Sequence, residues 1–216
     1  MEAFPLRPET GDRAQHPLYS RRMSRPTTPS TPSGTDAECV ALTRSLRRRG
    51  TVVLSVFALV WAFAGASGLA SSAAALAVEI IAVPVTAAAL LLAYRKGAAP
   101  SPRLVDLPAN WARSVGIVNV VELAAIFGVI AASNASGHPA FIPPAIALVV
   151  GLHFFPLARL YDQWQYKGTA VALCAAALLG LALIAAGLSD GSVRAVVGLA
   201  SAVTLWASAY HVAVKG

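Results

Sequence analysis

Charge is scarce in this chain: 12% of its 216 residues are charged and 56% are hydrophobic. A soluble domain carries about a quarter charged residues, so the shortage excludes that class and points to a chain lying mostly in lipid. Cysteine is nearly missing as well. Cys39 lies in a polar tail and Cys174 in an apolar run, and neither has a CxxC partner, which excludes a disulfide framework and a zinc site. Lysine is almost absent, while Ala, Val, Leu, Gly and Arg dominate, a composition of GC-rich bacterial genomes. The motifs HExxH and GxxxxGK[ST] do not occur, so no enzyme, cofactor or metal is expected. Alternation of polar and apolar residues at period two is lacking too, which excludes a transmembrane barrel.

What remains is six apolar runs of about 20 residues, the length a hydrocarbon core of roughly 30 Å requires. They cover 51–70, 73–94, 113–133, 140–161, 169–188 and 192–214. Each must satisfy its own backbone hydrogen bonds in lipid, so each is read as a helix. Short links make three consecutive antiparallel hairpins. The expected fold is all-α: a polytopic six-helix membrane domain over 44–216, preceded by a cytoplasmic tail over 1–43. That tail, with RPTTPSTPSGT at 25–35, is rich in Pro, Ser, Thr and Arg and is read as disordered, because it cannot bury enough apolar surface. It carries no signal-peptide core in its first 30 residues, and Met23 offers a second start.

The net charge of +7 is no nucleic-acid footprint. Nine of the 17 Lys and Arg residues precede position 50, and most of the rest sit in short loops, as topology signals do. Arg44 and Arg47 to Arg49 abut the first run and also suit anionic headgroups. The 95–113 and 159–167 loops carry basic residues, whereas the links near 68–72 and 134–138 carry none. Both termini are therefore expected in the cytoplasm of a bacterium, with the runs in its inner membrane and Arg194 as the one exception. Tyr94, Trp111, Tyr161, Trp164, Tyr166 and Tyr210 map to the same interface.

Small residues let membrane helices approach closely. Ala176 and Gly180 share a face of the fifth run, and Gly65, Gly68, Gly151 and Gly198 sit similarly in others. These positions suit packing within one chain; a homo-oligomer seam is the alternative, with the lipid bilayer as the general partner.

Four polar residues stand out within the runs: Glu79, Asn119, Glu122 and His153. Ionisable groups are costly in hydrocarbon and mark functional sites. Pro84 is expected to kink the Glu79 helix. Asn119 and Glu122 share a face of the third helix, and Glu122 and His153 lie at matched depth, roughly 12–13 Å from the cytoplasmic side. An antiparallel hairpin makes them neighbours. Such a carboxylate–imidazole pair is either a proton-responsive or ligand-binding site, in a small transporter or sensor, or a clasp that fastens helices in a structural or assembly protein.

The segment GLHFFPLARLYDQW at 151–164, following a helix with Asn119-x-x-Glu122, resembles uncharacterised bacterial multi-pass membrane proteins with a GLHFxPLA-like segment. The resemblance spans the third and fourth helices and implies no activity, cofactor or substrate.

Overall fold

The computed structural model describes residues 34–96, 110–161 and 163–215. Residues 1–33, for which disorder is expected, residues 97–109 and Asp162 lie outside the described residues, as does the side chain of Cys39. The six helices are α1 (Gly34–Ala66), α2 (Ser72–Lys96), α3 (Trp111–Ala135), α4 (Ile142–Leu160), α5 (Gln165–Ala185) and α6 (Asp190–Lys215), with a 3-10 turn at Pro139–Phe141 leading into α4. All six are long and apolar enough to cross a membrane, and the described residues contain no strand.

One boundary departs from the sequence reading. Helix α1 begins at Gly34, so residues 34–43, assigned above to the tail, are helical. Ala37, Glu38, Ala41 and Leu42 are good helix formers, and Asp36 favours a helix start by opposing the helix dipole. The spanning part of α1 accordingly runs from Ala41 to Ala66. The other spans fall within a few residues of expectation. Helix α2 is continuous through Pro84.

The three hairpins form as expected, α1 packing on α2, α3 on α4 and α5 on α6, but the bundle is built across them. Helix α1 packs most extensively on α6, and α4 on α5, while α6 also touches α2 and α4. Helices α1, α6, α5 and α4 thus form the centre, with α2 and α3 on opposite flanks. Among the described residues α3 touches no helix except α4, and none of its residues is buried.

Glycine explains why the centre is so tight. A methyl group added at Gly198 would lie 2.5 Å from the Cα of Gly65 and 3.0 Å from the carbonyl of Trp61. Backbone of α1 therefore rides directly on backbone of α6. Gly68 abuts Gly191 and Ala195 in the same crossing. Gly151 brings α4 within 3.0 Å of the Cys174 amide of α5, measured from where its Cβ would stand. Gly180 faces Val197 and Pro144 at the junction of α5, α6 and α4. All these small-residue contacts lie within one chain, where dispersion across closely approached backbones holds helices together in lipid.

Buried hydrogen bonds add fasteners. Thr169 and Ser208 hydroxyls meet at 2.6 Å between α5 and α6, and Trp206 donates its indole N–H to Thr86 of α2 at 3.0 Å. Helices α3 and α5 both end in a left-handed glycine, Gly137 and Gly187, with φ of 73° and 77°. Each closes a Schellman turn: His138 N–H donates to Ser133 and Leu188 N–H to Leu183. These caps make the turns at one end of the bundle short, and so fix each hairpin's register.

Candidate functional site: a histidine–glutamate pair on the α3–α4 seam

At the other end of the bundle lie the start of α1's span and the end of α6. Arg47 donates to the Ala213 carbonyl at 2.8 Å, Arg48 stacks 3.6 Å over Tyr94 of α2, and Trp111 meets Tyr161 edge-on at 5.9 Å. Tyr161 also meets Tyr166, and Trp164 meets His211. These contacts place Arg47, Arg48, Tyr94, Trp111, Tyr161 and Trp164 at one level, the basic end. Tyr166 meets Tyr161 at this same end, but it is turned into the bundle and buried against Phe154. Burial raises the pKa of the Tyr161 phenol above its ordinary value, so this aromatic cluster adds no charge.

The Trp111–Tyr161 contact and the 136–138 turn together set the register of α3 on α4, and that register brings the central pair together. His153 Nδ1 lies 3.4 Å from Glu122 Oε2, with the imidazole side chain 9% exposed and the carboxylate side chain 20% exposed. At 3.4 Å the contact to the carboxylate is longer than a good N–H···O bond, and Nδ1 has no other partner. A neutral ring carries its one N–H on either nitrogen, whereas an imidazolium always presents an N–H to the carboxylate. The arrangement thus couples ring protonation to how firmly α3 is held. Pro156 lies on α4 just after the pair and leaves the Leu152 carbonyl without its helical donor, one residue from His153.

The remaining polar candidates are not gathered here. Asn119, three residues before Glu122 on α3, is exposed, whereas the pair is largely covered. Glu79 is half-buried on α2, which touches neither α3 nor α4 among the described residues. Among those residues no group of three His, Cys, Asp or Glu side chains converges as a metal site.

Arg47 is the polar residue whose place the sequence reading missed. It was counted with Arg48 and Arg49 as one topology signal, yet it is buried where they are exposed. Its guanidinium satisfies a carbonyl at the last turn of α6, the negative end of that helix. Helical spacing carries the signal: Thr43, Arg47 and Thr51 are four apart and continue the buried stripe of Leu54, Ala58 and Ala62.

No protein family matches the chain, and no curated protein or solved structure matches it significantly.

Proposed function

We propose that the chain is a proton-responsive sensor of the bacterial inner membrane, with both termini in the cytoplasm and the Glu122–His153 pair as its titrating element. The observation that carries this reading is the pair's position: among the described residues it bridges α4 to the one spanning helix that has no buried residue and no other spanning-helix partner. A change there can move α3 without repacking the glycine crossings of the centre. With one proton shared between them, the two side chains attract. A second proton neutralises the carboxylate, and removal of the first leaves a carboxylate facing a ring with a single N–H. Docking of α3 should therefore be tightest at intermediate pH and loosen on both sides, with apparent pKa values that belong to the pair. Among the described residues no other charged group pairs with either partner. Membership of the GLHFxPLA-bearing bacterial group rests on residues 151–158 and the Asn119-x-x-Glu122 spacing alone.

The test places spin labels on α3 at residue 128, which has open space around it, and on α5 at residue 178, which is exposed. In bilayer nanodiscs the distance distribution should be narrow at intermediate pH and broaden at both extremes. Glu122→Gln should abolish that dependence. A distribution unchanged with pH in the wild type would overturn the sensor reading and leave the pair as a plain fastener. Such fasteners exist elsewhere in the bundle, as Thr169–Ser208 shows.

Orientation is tested separately. Reporter fusions after Gly216 and within the 97–109 loop should report cytoplasm, and fusions at Ser72 and Gly137 the exterior. The basis is the concentration of Arg and Lys at one end. An exterior C-terminus would refute the assignment.

A further inference from the structure

A cavity of about 740 Å³ opens at the basic end between the first turns of α1's span and the last turns of α2. Arg44, Arg48 and Arg49 rim it, with Tyr94 across from them and Val52 and Val53 deeper along α1. Helical spacing explains the division of labour within the arginine cluster. Arg47 turns towards α6 and is buried, whereas Arg44 and Arg48, four apart, face the groove with Arg49 beside them. Among the described residues no carboxylate pairs with any of these three. Three cations without a counter-charge at the mouth of a groove with an apolar floor call for an anionic ligand that also carries hydrocarbon.

We propose that this groove is a binding site for an anionic phospholipid, its phosphate held by Arg44, Arg48 and Arg49 and its acyl chains lying on Val52 and Val53. Basic grooves between spanning helices suit such headgroups. The guanidinium fork matches phosphate oxygens bidentately, which an ammonium does not. Stacking 3.6 Å over Tyr94 fixes the Arg48 plane before any ligand arrives, so less freedom is lost on binding. The apolar floor continues down α1 through Val56 and Val60, both exposed, as a track for the chains. The site is separate from the histidine–glutamate pair: α2 and α3 are not in contact among the described residues.

The experiment measures lipid binding to the full chain in neutral detergent by native mass spectrometry. Phosphatidylglycerol should bind at least tenfold more tightly than phosphatidylcholine, and glycerol phosphate, which has the phosphate without the chains, should displace it poorly. Arg44→Lys/Arg48→Lys/Arg49→Lys keeps every charge, and with it the topology signal, yet should weaken phosphatidylglycerol binding about tenfold. Tyr94→Leu, which alters no charge, should weaken it severalfold and covers the case in which the triple variant fails to fold. Unchanged binding in both variants would mean general attraction to a positive surface and would overturn the site. Equal binding of phosphatidylcholine would reduce it to an apolar groove, and efficient displacement by glycerol phosphate would make it a site for free phosphate esters; either result overturns the lipid assignment.

Discussion

Gly198→Leu should abolish the native bundle, whereas Gly128→Leu, an identical change on α3, should leave it almost as stable as the wild type. At Gly198 even a single methyl would stand 2.5 Å from the Gly65 Cα and 2.7 Å from its amide nitrogen. Backbone atoms cannot rotate away as a side chain can, so α1 and α6 must separate along their length. Overpacking a core that can adjust costs about 1–3 kcal/mol; here the adjustment is the loss of the most extensive helix contact in the molecule, so the cost should exceed that range. Gly128 has nothing within 4 Å of its added Cβ, and a leucine there meets lipid. Unfolding in mixed micelles under increasing denaturing detergent measures both variants. Similar midpoints for the two would show that the α1–α6 crossing is not what holds the bundle together. Gly198→Ala should fall between them, since a methyl demands a smaller separation.

His153→Ala should destabilise the attachment of α3 by about 2 kcal/mol. Removing one partner of a buried ion pair typically costs about 3–5 kcal/mol; the value is discounted here because the Glu122 side chain is 20% exposed and such exposure admits screening. The remaining carboxylate then either takes up a proton or swings towards the interface, and α3 has no buried side chain to hold it meanwhile. The double change Glu122→Leu/His153→Leu should recover most of the loss, because two apolar side chains on a lipid-facing seam leave no orphaned polar group. Hydrogen–deuterium exchange of the α3 amides reads the local effect, and the denaturing-detergent midpoint reads the global one. If the single and double variants lose equal stability, the pair is not mutually compensating and the proton-coupled reading loses its physical basis. If the double variant is stable and its α3–α5 distance no longer responds to pH, the pair is the titrating element rather than a mere clasp.

How much of this could be read from the chain differs sharply between its parts. Six apolar runs and their lengths determine the spanning helices by themselves, since lipid offers no other way to satisfy a backbone. The glycines that carry the close crossings were identifiable as small residues on helix faces, because small residues have few other uses there. The Glu122–His153 contact follows from equal depth on a short-linked hairpin, and depth is a linear property of sequence that survives folding.

Other features needed the third dimension. Asn119 is three residues from Glu122, yet α4 covers only a narrow stripe of α3; the offset of about 60° around the helix between the two positions suffices to leave Asn119 exposed while Glu122 is mostly covered. Residues 34–43 look like tail by composition but continue α1, because a helix already nucleated by a span propagates cheaply into good helix formers. Arg47, Arg48 and Arg49 are one charge cluster in sequence. Their two neighbours, α6 and α2, divide them into a buried helix cap, Arg47, and one rim of a groove, Arg48 and Arg49. Chain order fixes which helices are neighbours in a hairpin. That α1 closes on α6, so that α3 is left with a single partner, was decided only by which faces could approach closely enough for backbone to meet backbone.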